Sequence, residues 1–588
     1  KRIKDRGIAQ PPRWAGRIAY ALIVSAFFSY TLFVVAPFEI VAANGASLIF
    51  GIFDVWVPVA VGAAVVTLLL TLLLSILRGR AFEIALLLVF SLGLAAYVQA
   101  MFFNTALPAA DGVPVVWDDY QLVTALSAGA WIVIIVAPLI LRHWFSSACR
   151  GLAVAASLCL IVVQSVGLAS LFVQPVAQAD EVSTAVPVSG KPVATEEGLF
   201  DVSPKNNVVV FILDTIDLTD MQQVLQRSPQ ALDQMTGFTY YPNTIGAMCP
   251  TRWAVPFLLT AEMPKEGEAL GSYLGRQYSD GAFLPDIVEQ DYSVGLYSDS
   301  MGLDRISETQ MKQMEGLTKN IHPLEDPSVS ISESGAVREL WKCALYRDMP
   351  WLLKPPFWFY TDEVNAGMVD RANASNLGSV AYTMDDPAYY DGLKNTGLSV
   401  VDDGHAGSFK FIHLNGVHRP FYMDENAKNV GNGNSTMEQS CLGSFKIVDE
   451  YIQQMKNLGK YDDATIIVTA DHGEWYYTLD GLTGPTGPLL IVKPPTSASE
   501  SGEAVKISDV PASHFDIHPT VIDAIGGDAG RYNGIPLHDL TADPRMRSYI
   551  MNACDGKVDV ELIEYTVEGD ALDFSKWKKS GRVWGSDS

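Results

Sequence analysis

Apolar residues are spaced in two different ways along this chain. Up to residue 173 they form long runs at 18 to 38, 55 to 77, 82 to 103, 121 to 141 and 151 to 173. Each is long enough to cross a hydrocarbon core, which takes about 20 residues of helix. Lys1, Arg2, Lys4, Arg6, Arg13 and Arg17 precede the first run, Arg78 and Arg80 follow the second, and Arg142 and Arg150 follow the fourth. The loops at 39–54 and 104–120 hold no Lys or Arg. The positive-inside rule then predicts a cytoplasmic amino terminus, five spans, and an outer face that receives everything after residue 173. The first run is too long for the apolar part of a cleaved signal peptide and reads as a retained anchor. Glu83, Asp111, Asp118 and Asp119 fall at span ends or in outer loops, where solvated interface residues are expected rather than an ion pathway.

Beyond the spans the pattern changes. Residues 174–205 are rich in Pro, Ala, Val, Ser, Thr and Glu without periodicity, as expected of a tether. NNVVVFILD then opens a domain near Asn206 with a short unbroken apolar run, the pattern of a strand buried on both faces of a parallel sheet. Strand-like YSVGLYSD (292–299), FKFIHL (409–414), ATIIVTAD (464–471) and PLLIVKPP (488–495) follow, with a helical stretch at about 436–458. This alternation predicts an α/β domain with a mostly parallel sheet over 206–540, and the last residues, 541–588, alternate like a small antiparallel β appendage. Chemistry in such sheets collects at the carboxyl ends of strands, and Asp214, His418 and Asp471 all follow strand-like runs.

Charge and cysteine usage refine the picture. Residues 1–173 hold 10 Lys and Arg against 7 Asp and Glu, so the formal net charge of −25 comes wholly from downstream. A domain that acidic repels polyphosphate backbones, which argues against nucleic acid as a partner. Cys249, Cys343, Cys441 and Cys554 are predicted to lie outside, where bridges or free thiols are both open.

Three motifs make one candidate site. Asp214 ends a buried strand, where a carboxylate is costly unless a cation offsets its desolvation, although a helix-capping role is open to it as well. Asp471 and His472 in TADHGE can present a hard oxygen and a borderline nitrogen to one divalent ion, with Gly473 letting the backbone fold away and Glu474 behind them. In GAMCPTRWAVPFLLTAE, Thr251 stands at a helix start, where cation and helix dipole both favour its alkoxide. Its bland alternative is a plain N-cap.

The ordered set of Asp214, Thr251, the His of FIHLNGVHRP and ADHGE, behind five spans, resembles the lipoteichoic acid synthase and phosphoethanolamine transferase branch of the alkaline phosphatase and sulfatase superfamily. The resemblance covers most of 206–540. It implies that Asp214, Thr251, Asp471 and His472 hold one divalent ion, Mn²⁺ or Zn²⁺. It also implies that Thr251 is the nucleophile, that His418 contacts the transferred phosphate or the leaving oxygen, and that Arg305 binds phosphate. CPTR is superficially similar to the C-x-P-S-R signature of sulfatases, but nine residues before Thr260 stands Thr251, not Cys249. A formylglycine nucleophile is therefore not expected. GLTGPTGPLLIV lacks the further His that phosphoethanolamine transferases carry after DHGE, which favours a phosphoglycerol donor.

The expected protein is thus a multi-pass bacterial membrane enzyme with an extracytoplasmic catalytic domain. It would move a phosphoglycerol or related head group from a membrane phospholipid to an envelope glycan, teichoic polymer or glycolipid through a phospho-threonine. A phosphoethanolamine transferase, a phosphodiester or sulfate-ester hydrolase and a non-catalytic binding module are the alternatives. The last is disfavoured because all four ligand positions are filled, and a channel is disfavoured by spans without paired charges.

Overall fold

A computed structural model describes residues 14–44, 48–108, 115–173, 192–298, 312–324, 331–371, 377–475, 477–478, 480–497, 500–554 and 559–585. The chain divides into two compact units along lines other than the expected boundaries. One joins Lys1–Ser189 with Pro327–Asp370, and the other joins Gly190–Asp326 with Arg371–Ser588.

In the first unit four helices are long and apolar enough to cross a membrane: Trp14–Ala43, Ile52–Ile76, Gly79–Phe102 and a last one spanning both of the final apolar runs. Among the described residues four such helices stand against five expected runs, because Gln121–Val173 joins the last two runs, two helices meeting at a kink at Phe145 (φ −132°, ψ 43°). Phe145 lies in the polar stretch RHWFSSACR that separates the two runs, so the break falls between the two expected spans. Glu83 also departs from expectation. It is not solvated but pairs with Arg150 at 2.8 Å, both side chains being largely buried, which lowers the cost of a carboxylate on an apolar helix. The inserted helix Glu333–Asp348 starts at Ser332, whose hydroxyl accepts the Gly335 N–H.

The second unit is built on a seven-stranded mixed sheet. From one edge inward, Tyr292–Tyr297, Gly407–Leu414, Asn206–Leu213 and Thr465–Thr469 are parallel neighbours in that order. Leu490–Lys493 adds antiparallel beside Thr465–Thr469, and Thr239–Tyr240 and Lys506–Ile507 complete the edge. All but the first residue of Asn206–Leu213 is buried, as a strand covered on both faces requires. Register pairs Phe409 with Val208 and Ile412 with Phe211, so Phe409 and Phe211 point to opposite faces. Phe409 meets Phe283 of the Phe283–Glu289 helix, and Phe211 meets Tyr451 of the Met437–Asn457 helix. Helices therefore cover both faces.

The C-terminal strands Met546–Cys554, Asp559–Glu568 and Trp577–Gly585 run antiparallel to one another. They are more than an appendage, since Met248–Cys249 pairs parallel with the first of them and ties that sheet to the segment leading into Thr251. Residues 192–202, expected in the tether, form strands of this unit: Pro192–Ala194 pairs with Ile321–Pro323, and Asp201–Val202 with Ser399–Val400.

Candidate active site

The parallel register sets Thr469 beside Ile212, so two residues further on Asp471 and Asp214 leave adjacent strand ends together. One oxygen of each carboxylate and one ring nitrogen of His472 lie within 4.8 Å of one another, all three residues buried. Thr251 is the first residue of the Thr251–Thr260 helix, whose cap position is Pro250. The N-cap alternative does not apply, and the Thr251 hydroxyl is instead hydrogen-bonded to His472 Nε2 at 3.1 Å. Three separate segments thus converge on one point, as expected from the motifs.

The donor set suits a cation. His472 Nδ1 donates to the Gly473 carbonyl at 2.6 Å, which leaves the Nε2 lone pair facing Thr251 and Asp471. Asp471 Oδ1 accepts the Thr215 N–H at 3.2 Å. Its Oδ2 has no well-formed hydrogen-bond donor among the described residues, only His472 Nε2 at 3.3 Å and the neighbouring Thr251 hydroxyl. A buried carboxylate oxygen so placed calls for positive charge. Two carboxylates and one imidazole balance a divalent ion and match the oxygen and nitrogen preferences of a borderline one.

Electrostatics follow from the same crowding. Burial works against the Asp214 carboxylate, but His418, His413 (Nε2 3.6 Å from Asp214 Oδ2) and His472 outweigh it and hold its pKa below the carboxylate range. For Asp471, burial and then the Asp214 charge push the pKa up. Burial disfavours the His472 imidazolium, yet Asp471 and other anions raise its pKa well above the ordinary value. A proton and a metal ion therefore compete for Nε2.

Several residues that the motifs did not single out hold this geometry. Thr215 sits at φ 64°, a left-handed conformation unusual for a β-branched residue, and so turns its N–H to Asp471 and its hydroxyl to Asp214. Asp217 is fully buried and clamps the DHGE loop: its Oδ2 accepts the N–H groups of Glu474 (3.2 Å) and Gly487 (3.1 Å), and its Oδ1 caps the next helix at Thr219. A Cβ on Gly473 would come within 2.3 Å of that carboxylate, so only glycine lets the loop close on Asp217. Asp386 does the same for the other loop, accepting from Asn415 N (2.6 Å) and Gly416 N (3.0 Å). Sequence reasoning passed over both because an Asp at a helix start reads as a cap, which Asp217 is and Asp385, next to Asp386, is as well.

His418 lies on the loop after Gly407–Leu414, half-buried, with Nδ1 donating to the Arg419 carbonyl at 2.7 Å. Trp475 stands between it and His472, with ring centroids at 6.1 and 5.9 Å, and donates from Nε1 to His472 Nε2 at 3.3 Å. The half-exposed Arg419 guanidinium meets Glu474 Oε1 at 3.1 Å. Arg305 lies outside the described residues. His514 and His518 take no part in the centre: His514 bonds Thr469 Oγ1, and His518 Nε2 donates to the Phe257 and Leu258 carbonyl region of the Thr251 helix. Burial first, then neighbouring histidines, lowers the His514 pKa to about 3. Cys249, Cys343 and Cys441 are buried free thiols, so among the described residues no bridge joins them.

Residues 357–527 match the family model described as Sulfatase, a stretch that includes His418, Asp471 and His472. Over that stretch the chain carries a Sulfatase-family domain. No curated protein matches the chain. Among solved structures, a phosphonate monoester hydrolase from Silicibacter pomeroyi is similar at 14% identity and TM-score 0.35, over 64% of this chain and 88% of that one. The lipoteichoic acid synthase LtaP from Listeria monocytogenes is similar at 13% identity and TM-score 0.32, over 66% and 88%. A protein of the alkaline phosphatase superfamily from Vibrio parahaemolyticus is similar at 13% and 0.35, over 71% and 88%.

Proposed function

We propose that this protein is a membrane-anchored phosphotransferase that takes a phospho-alcohol head group, phosphoglycerol first, from a phospholipid and passes it to an acceptor of the cell envelope. The observation that carries the reading is the Thr251 hydroxyl at a helix start, 3.1 Å from His472 Nε2 and beside two buried carboxylates. Asp214, Thr251, Asp471 and His472 would hold one divalent ion, Mn²⁺ or Zn²⁺. When bound, that ion supplies positive charge that favours an ionised Thr251 hydroxyl and offsets charge on the phosphoryl oxygens.

The chain's own residues account for the rest. Thr251 Oγ forms a bond to phosphorus as the bond to the diacylglycerol oxygen breaks, leaving a phospho-threonine diester; an acceptor oxygen then bonds to phosphorus as the Thr251 Oγ–P bond breaks, and the acceptor's proton is given up as the Thr251 hydroxyl is restored. The helix N-terminus under Thr251 favours negative charge there. His418, half-buried beside Trp475, would protonate the leaving oxygen, and Arg419 and Arg305 would supply cationic groups for phosphate. The apolar helices are read as multi-pass spans with a cytoplasmic amino terminus and an outer catalytic domain, so that a donor held in the bilayer meets the site at high effective concentration.

Hydrolysis of a phosphate or sulfate ester is the second reading, favoured by the family-model match. Against a formylglycine chemistry stands the spacing, for the residue nine before Thr260 is Thr251 and not Cys249, while the Cys249 thiol itself lies beside His472. The test is intact-mass measurement of detergent-purified protein after incubation with phosphatidylglycerol or phosphatidylethanolamine and Mn²⁺ or Zn²⁺. A head-group phosphate adduct on the parent and none on Thr251→Ala is expected. No adduct and no diacylglycerol from either lipid would overturn the transferase reading.

A further inference from the structure

Residues 327–370 lie within the sequence of the catalytic domain yet pack with the apolar helices. Helix Glu333–Asp348 lays Trp341 against Phe33, ring centroids 4.4 Å apart, and fills the space over Gly62, where even a Cβ would meet the indole at 2.9 Å. Arg347 pairs with Glu39, and its carbonyl accepts from Asn104 Nδ2 at 2.8 Å. The short helical turn Trp351–Leu353 continues this contact. Trp351 Nε1 donates to the Phe103 carbonyl at 2.7 Å, its backbone N–H donates to Ser127 Oγ at 3.2 Å, and its ring stacks on Tyr120 at 5.0 Å with Trp117 edge-on.

These contacts fix the segment at the Phe102 and Tyr120 ends of the helices, the ends whose loops hold no Lys or Arg. There it turns its apolar side chains outward: Leu352 is 66% and Leu353 50% exposed, followed by exposed Pro355 and Pro356 and half-buried Phe357 and Trp358. The one charged side chain in WLLKPPFW is turned in, for Lys354 is fully buried and caps the Tyr346 and Arg347 carbonyls. Phe102 and Leu122, close in sequence to the Phe103 and Tyr120 that Trp351 contacts, are exposed as well.

We propose that Trp351–Trp358 is a lipid-interface element, seated in the outer leaflet with Leu352 and Leu353 among the acyl chains. The occupant is the bilayer because the exposed side chains of the patch are uncharged, Trp351 and Trp358 with Tyr120 stacked on the first are the aromatic residues expected at the headgroup boundary, and the helices they pack on are apolar enough to span it. It deepens the functional reading and rests on it: an element that enters the leaflet from within the catalytic sequence would settle the domain against the layer that supplies its donor.

The experiment places p-benzoyl-phenylalanine at Leu353, and separately at Leu69 in the middle of Ile52–Ile76, in the full chain reconstituted into phosphatidylglycerol and phosphatidylethanolamine vesicles. After irradiation, intact mass is expected to show lipid adducts at both positions. An adduct at Leu69 but none at Leu353 overturns this proposal and leaves the membrane reading standing, whereas none at Leu69 removes both. In parallel, the double variant Leu352→Asp, Leu353→Asp is expected to release diacylglycerol from vesicles about tenfold more slowly, with turnover of a soluble phosphodiester unchanged. Unchanged release, or an equal loss on both substrates, counts against it.

Discussion

At the residue scale, the site depends on one hydroxyl and on the carboxylates that aim it. Thr251→Ala removes the hydroxyl that faces His472 at the helix start, and head-group transfer is expected to fall about 10³-fold or more in a diacylglycerol-release assay. Thr251→Ser, which keeps an oxygen in the same place, is expected to retain a measurable part of it. Asp217 acts through others. Its Oδ2 receives two backbone N–H groups from the loops that flank His472, so Asp217→Asn sets an amide donor against those donors. Metal affinity is expected to weaken roughly 10-fold to 100-fold, the usual cost of losing a residue that orients ligands, as read by competition with a chromogenic chelator. Asp214, Thr251, Asp471 and His472 were legible in the sequence because each ends a strand or starts a helix, where a local pattern points at one spot. Asp217 and Asp386 were not, because their partners are backbone groups more than 25 residues away, and no local pattern records such a bond.

At the scale of elements, the site is two loops pressed onto one strand end. Gly416 has φ 58°, and a Cβ there would come within 2.6 Å of both the N and O of Asp214. Gly416→Ala is therefore expected to cost about 1–3 kcal/mol in urea unfolding and to move His418 off its place. Asp386, which ties the same loop, gives a pH signature. Burial raises its pKa from 3.8 to about 7 despite the two N–H groups it accepts. Below the unfolded value both states hold the proton and the contribution to stability is complete. As pH rises from about 4 to about 7 the unfolded carboxyl ionises first, and up to about 4 kcal/mol of that contribution is lost. Asp386→Asn is expected to flatten this fall, so that parent and variant midpoints differ more at one end of that window than at the other. Equal slopes would show that another group carries the dependence. The sequence pattern located the four parallel strands and the Met437–Asn457 helix well, since each buries a continuous apolar run or stripe. It missed the antiparallel sense of Leu490–Lys493, because a strand buried on both faces reads the same in either direction.

For the molecule as a whole, the unexpected feature is that one compact unit draws on two separate stretches of sequence. A fragment beginning at residue 190 keeps Leu340, Ala344, Trp341 and Trp351 but loses the helices that cover them. That exposes a contiguous apolar face, and such a fragment is expected to associate in size-exclusion chromatography at low salt. The insertion leaves and rejoins its host domain at one place, however. Pro323 pairs with Pro192 on the way out, and Arg371 pairs with Glu196 at 2.7 Å on the return, so the two ends are held by a five-residue segment. Closing a short loop between neighbouring ends costs little entropy. The same fragment with residues 327–370 replaced by a short Gly/Ser linker is therefore expected to elute as a monomer and to unfold in a single cooperative transition. It should still bind Mn²⁺ or Zn²⁺ through the Asp214, Asp471 and His472 cluster, since all three residues and Thr251 lie in that unit. If the linker fragment associates as strongly as the uncut one, residues 327–370 are not what the helices cover, and the division of the chain between its two units has to be redrawn.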